Sequence, residues 1–293
     1  MAIARRPAPH QSRVATAVSV GRLARRVSVY LLLIAGLVIM LVPFAYMVGL
    51  SFTPDAYVLQ TPPVFIPPHP TLDNYTAAWT GNNFGHAFFN SVIVACSATA
   101  LNVGLAASLA FAFARYRFPG RNVLFYGMLV TMMVPTIVLI IPQFVLASRL
   151  HLTNSRLGLI LVYAAGMAFS VYLLRGFFEE LPQDLLDAAA IDGCGVFRTF
   201  LRIALPLARP ALAAATIFSF LGNWDEFTWA ITSINSADLY TLPIAIAQFQ
   251  GQHATQWGIV FAASTLAVLP VIVVFLIFQR HFIRGVSAGA VKG

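Results

Sequence analysis

Residues Asp184 to Pro210 read DLLDAAAIDGCGVFRTFLRIALPLARP, an acidic and basic insert between two strongly apolar segments. Pro182 suits the first turn of a helix, where its missing N–H costs nothing. Leu185, Leu186 and Ala189 then share one face at helical spacing. Asp192-Gly193 is a stop signal, because glycine enters the left-handed region that ends helices. Val196, Phe197, Phe200, Leu201 and Ala204 make a second apolar stripe before Leu205-Pro206, and Arg209-Pro210 opens the next segment. The stretch is predicted as a helix–turn–helix with an apolar face and a charged rim. Two readings fit: a hairpin lying on a bilayer surface, or a knob that docks into another protein.

Outward from the insert, the chain is apolar. Of 293 residues, 59% are hydrophobic and 10% charged, against about 25% charged in a soluble domain. Six stretches reach the roughly 20 residues that cross a hydrocarbon core as a helix: Val29–Leu50, Ala87–Ala114, Val123–Ala147, Leu157–Phe177, Ala211–Ser233 and Trp257–Phe278. Helices are expected, since backbone groups in lipid must bond internally and no alternating barrel pattern occurs. The remainder divides into a tail over 1–28, an external segment over 51–86, a core over 87–278 with the insert at 178–210, and a tail over 279–293.

Basic residues orient the spans. Of the 18 lysines and arginines only Arg149 and Arg156 fall on the opposite side; Arg175 sits at the inner end of the fourth span, and the rest fall before the first span, between the second and third, between the fourth and fifth, or after the sixth. Both termini are therefore expected in the cytoplasm, and the net charge of +8 reflects topology and implies no nucleic-acid partner. The first apolar run is too long for a signal-peptide core of about 7–15 residues, so it is expected to stay as a helix. Pro135 and Pro142 should bend or break the third span. Small residues in the second span, SATALNVGLAASLAFAFA, should let helices approach closely. The segment before it, rich in proline, is expected to run extended along the surface. Cys96 and Cys194 fall in different compartments and form no disulfide or metal cluster, and Cys96 is expected to be a small packing residue. His10, His69, His86, His151, His253 and His281 are scattered without ligand spacing, and no nucleophile–base constellation appears.

The insert resembles the coupling loop of ABC importer permeases, E-A-A-x-x-D-G followed by L-P-x-x-x-P. Here the match runs through Asp187, Ala188, Ala189, Asp192 and Gly193, then Leu205, Pro206 and Pro210. Asp187 departs from the family's glutamate, keeping the charge with one methylene less reach. The stretches NSVIVACSATALNVGLAASLAFAFARYRFPGR, MMVPTIVLIIPQFVLASRLHLTNSRLGLIL and RGVSAGAVKG are similar to the carbohydrate-importer branch, relatives of the smaller maltose permease subunit. The resemblance covers Phe88 to Gly293. It implies an all-α type-I ABC importer permease in a prokaryotic inner membrane, paired with a second homologous permease, two cytoplasmic ATPase subunits and an extracytoplasmic sugar-binding protein. It also implies that the loop sits in a cleft of the ATPase, with Asp187 pairing to a basic residue there. ATP and Mg would belong to that partner. The sequence agrees in lacking a Gly-x-x-x-x-Gly-Lys-Ser/Thr phosphate loop, its single lysine being Lys292. The chain is thus expected to be a transport subunit and not an enzyme. A permease for another solute, such as a glycerol phosphate, or an ion-coupled secondary transporter are the alternatives.

Three further stretches are candidates. NWDEFTW, Asn223 to Trp229, puts acids inside the fifth span, where lipid exposure is costly. Asn223, Trp224, Asp225 and Glu226 suit a neutral polyol pathway, although a helix-interface hydrogen bond or an interfacial position explains the acids as well. Trp229 reads as a membrane-belt residue. The segment Ile234 to Gly258 is longer than an ordinary connection of about 2–8 residues; the resemblance makes it a surface that meets the binding protein. The tail GVSAGAVKG, with Gly285, Gly289, Lys292 and Gly293, looks suited to threading between surfaces. The resemblance places it as a regulatory contact between the two ATPases.

Overall fold

In the computed structural model, residues 10–54, 58, 65–250 and 255–290 are described. Among them the structure is helical, with one isolated bridge between Gln250 and Thr255. The helices are α1 (His10–Ser51), α2 (Asp73–Thr80), α3 (Phe84–Arg115), α4 (Arg121–Thr131), α5 (Thr136–Arg149), α6 (Arg156–Ala165), α7 (Ala168–Glu180), α8 (Gln183–Ile191), α9 (Val196–Leu207), α10 (Arg209–Trp224), α11 (Thr228–Ser233), α12 (Leu242–Gln248) and α13 (Trp257–Ala290). A π-helical turn lies inside α9 at Phe200–Ala204.

Among the described residues, three helical segments are long and apolar enough to cross a membrane, Arg25–Ser51, Asp73–Arg115 and Trp257–Arg280. Three more candidates are helix pairs bent at a short break: α4–α5 by 105°, α6–α7 by 45° and α9–α10 by 80°. The first break follows from Pro135, which caps α5, whereas Pro142 is carried inside α5. The second has no proline and was not expected. The third falls at Ala208, between the first-turn prolines Pro206 and Pro210.

α3 is the central post, packed against α6, α7 and α10. Its buried stripe of Ala87, Ser91, Ala95, Ala98, Asn102, Ala106 and Ala110 steps by three or four residues, so one small face meets all three neighbours. The polar members of that helix satisfy backbone groups freed where other helices break. Asn102 donates through Nδ2 to the Ala164 carbonyl (3.3 Å) and accepts from Ser170 Oγ (2.7 Å) at the α6–α7 break. Asn90 Nδ2 donates to the carbonyls of Asp238 (2.7 Å) and Tyr240 (3.0 Å), and Ser91 Oγ accepts from the Leu242 N–H (2.7 Å). α1 touches the rest of the fold mainly along α13 and exposes an apolar surface that includes Leu32, Ile39 and Met40, the surface a lipid-facing helix presents.

Several expectations need correction. The segment before the second span is not simply extended: α2 folds within it, and Asn74 Nδ2 donates to the carbonyls of Ser51 (3.0 Å) and Thr53 (2.8 Å). Cys96 is exposed, on the face of α3 turned from the small-residue stripe. The fifth span stops at Trp224, and Asp225–Phe227 separate it from α11. The segment after Ser233 carries α12. Helix begins at His10 within the N-terminal tail, and α13 runs past Phe278 to Ala290.

Candidate functional site

The 184–210 loop is a knob on a fixed base. α8 ends in a Schellman turn: Cys194 N–H donates to the Ala189 carbonyl (2.9 Å) and Gly193 N–H to that of Ala190 (3.1 Å). Gly193 takes φ +74°, with nothing within 4 Å of where a Cβ would lie. The base is apolar. Ala189, Phe200, Ala204 and Ala208 are buried, and the Phe200 ring lies 5.2 Å from Phe111. At the end of α3, Arg115 donates to the Leu181 carbonyl and to Gln183 Oε1, clamping the start of α8. The tip is bare, with Ile191 86% and Phe197 72% exposed. Ala188, Asp187 and Asp192 are also exposed. Asp187 Oδ1 accepts from Gln183 Nε2 (3.0 Å), and among the described residues it faces no cation within ion-pair distance. The loop therefore exposes a carboxylate that among the described residues has no ion-pair partner, together with two large apolar side chains.

A second feature lies where the breaks of α4–α5, α6–α7 and α10–α11 converge. It is a cleft of about 540 Å³, whose polar wall includes Gln143, Tyr163, Asn223, Glu226, Thr228 and Trp229. Glu226 ties the wall together. Its Oε2 accepts from the Tyr163 hydroxyl (2.9 Å) and the Ala230 N–H (3.1 Å), and its Oε1 from the Trp229 N–H (2.9 Å). The carboxylate thus satisfies the first donors of α11, which the break would otherwise leave without partners. Asn223 Nδ2 donates to Thr99 Oγ1 (3.1 Å).

The four pathway candidates separate in the structure. Asn223 and Glu226 line the cleft, while Asp225 is exposed beside it. Trp224 is spent on packing: it is buried, stacks on Phe220 at 5.5 Å and donates Nε1 to the Ala267 carbonyl (3.1 Å). Trp229, expected at the membrane surface, is buried in the cleft wall, and its indole N–H has no acceptor among the described residues. Gln143 and Tyr163 went unnoticed in the sequence, although each is a polar group within an apolar run. Gly285 and Gly289 lie on the last turns of α13; Lys292 and Gly293 lie outside the described residues.

This bent-helix bundle with a projecting loop is the type-I ABC permease fold. Residues 102–288 match the family described as "binding-protein-dependent transport system inner membrane component", and the chain belongs to that family. It is 38% identical over 264 residues to the diacetylchitobiose uptake system permease protein NgcG of Streptomyces coelicolor, covering 89% of this chain and 87% of that one. It is 37% identical to the arabinooligosaccharides transport system permease protein AraQ of Bacillus subtilis, covering 76% of this chain and 79% of that one. It is 32% identical to the sulfoquinovosyl glycerol transport system permease protein SmoH of Agrobacterium fabrum, covering 93% and 95%. The fold superposes with a TM-score of 0.76, at 22% identity, on a bacterial ABC transporter involved in the import of alginate, covering 95% of this chain and all of that one. The chain is a transport permease and not an enzyme.

Proposed function

We propose that the chain is one of two membrane subunits of an ATP-driven, binding-protein-dependent importer of oligosaccharides in a prokaryotic inner membrane. Its bent pairs count as single spans, so six helices cross the bilayer with both termini in the cytoplasm. The 184–210 loop enters a cleft of a separate ATPase, which binds Mg and ATP. Closure of the ATPase pair swings the membrane helices from inward- to outward-facing. The observation that carries this reading is the knob itself, clamped at its base by Arg115 and bare at Asp187, Ile191 and Phe197. Such a surface, with exposed apolar side chains and an acid that lacks an ion-pair partner among the described residues, suits a protein cleft better than a bilayer surface. Family membership favours an ATP-driven importer over an ion-coupled secondary transporter, and the sugar-uptake names of its relatives favour a carbohydrate over a glycerol phosphate.

The test is uptake by proteoliposomes holding the complete complex and its binding protein. The panel comprises diacetylchitobiose, arabinotriose and cellotriose as neutral oligosaccharides, and trigalacturonate as an anionic one. ATP-dependent uptake of a neutral oligosaccharide is expected. Uptake that needs no ATP, or none of any sugar by an assembled complex, would refute the proposal.

A further inference from the structure

We infer that the cleft between the α4–α5, α6–α7 and α10–α11 breaks is a saccharide subsite built by this chain, shaped for a neutral sugar residue and not an anionic one. This rests on the importer reading and adds where the sugar is held and which kind is accepted. A cleft of about 540 Å³ falls within the roughly 300–1,000 Å³ usual for small-molecule sites. Its wall joins amides, hydroxyls and an indole to apolar side chains, the mixture that meets both the rim and the faces of a pyranose ring. Gln143 and Thr228 donate or accept no side-chain hydrogen bond among the described residues, so both remain free for a ligand. The buried Trp229 indole N–H lacks an acceptor among the described residues, and a buried polar group without a partner is destabilising. A sugar hydroxyl or ring oxygen brought against Trp229 would supply that acceptor after a small shift of the wall.

The electrostatics set the class. Among the described residues no lysine, arginine or histidine lines the cleft, and the one carboxylate there, Glu226, is held in place by three donors. A uronate or phosphate would meet that negative charge with no cation to offset it, in surroundings where charge repulsion is poorly screened. Neutral hydroxyls meet only acceptors and donors.

The uptake panel first identifies the transported neutral oligosaccharide. Single cysteines then replace Thr228 or Gln143 in complexes whose Cys96 and Cys194 have been changed to serine. Alkylation by a water-soluble maleimide is followed with vanadate-trapped nucleotide and unloaded binding protein. Either that neutral oligosaccharide or trigalacturonate is added free, so that the binding protein does not choose. The neutral sugar should slow alkylation at both positions and trigalacturonate should not. Trp229→Phe keeps the ring and removes the N–H; it should raise the half-saturating sugar concentration by about tenfold, the value of one hydrogen bond, with kcat little changed. Unaltered alkylation at both positions in a complex that still takes up the neutral sugar would overturn the subsite and leave the importer standing. Equal protection by trigalacturonate would overturn its neutral selectivity.

Discussion

Gly193 is the residue on which the loop's shape turns. Its φ of +74° and the open space around it mean that a substitution suffers from backbone strain and not from a clash. Gly193→Ala should cost about 1–2 kcal/mol, and Gly193→Val somewhat more, within about 1–3 kcal/mol. Both should lower the amount of ATPase that co-purifies and the rate of uptake, with valine worse. Gly120 is the control, at φ +80° and equally uncrowded but in the α3–α4 turn; Gly120→Ala should bear the same strain and keep the ATPase. Normal co-purification and transport by Gly193→Val would refute the docking knob. The Gly193 turn was readable beforehand because Asp-Gly follows an apolar helical stripe. The capping role of Glu226 was not, since the Trp229 and Ala230 donors need a partner only once the chain breaks at 225–227.

The helix breaks define the elements, and they were legible only where proline announces them. Pro135 marked the α4–α5 bend, and Pro206 and Pro210 flank the α9–α10 bend. No proline marked the α6–α7 break; its one local sign is Gly166, the C-cap of α6, and its side-chain support comes from Asn102 on another helix. Asn102→Leu should leave the Ala164 carbonyl without that donor and the Ser170 hydroxyl without its acceptor, destabilising the fold by about 1–3 kcal/mol. Hydrogen exchange should show faster opening at the α6–α7 junction, and unchanged exchange there would mean that other contacts hold the break. At the far end, helix α13 extends through Gly285 and Gly289 to Ala290, so the tail proposed as a regulatory contact is helical for most of its length. Deleting Ser287–Gly293 should leave the complex assembled and slow binding-protein-stimulated ATP hydrolysis. An unaltered stimulated rate would remove the tail from regulation.

Across the whole molecule, the small-residue face of α3 gathers α6, α7 and α10 around it and sets two candidate functional features on one scaffold, the knob of the 184–210 loop and the cleft at Glu226. The helical class, the apolar segments and the loop were all visible in the sequence, since hydropathy and helical spacing are local properties. The cleft was not, because Gln143, Tyr163 and Thr228 meet only after three separate breaks converge. The proposed coupling requires the knob to contact the ATPase, and Ile191, 86% exposed at its tip, would report that contact most directly. A photo-activated cross-linking side chain at position 191, in the complete complex in native membranes, should yield an adduct with the ATPase subunit that is lost in the Gly193→Val background. Adducts to lipid alone, with no ATPase adduct from a complex that transports, would contradict the docking knob and with it the proposed route of coupling.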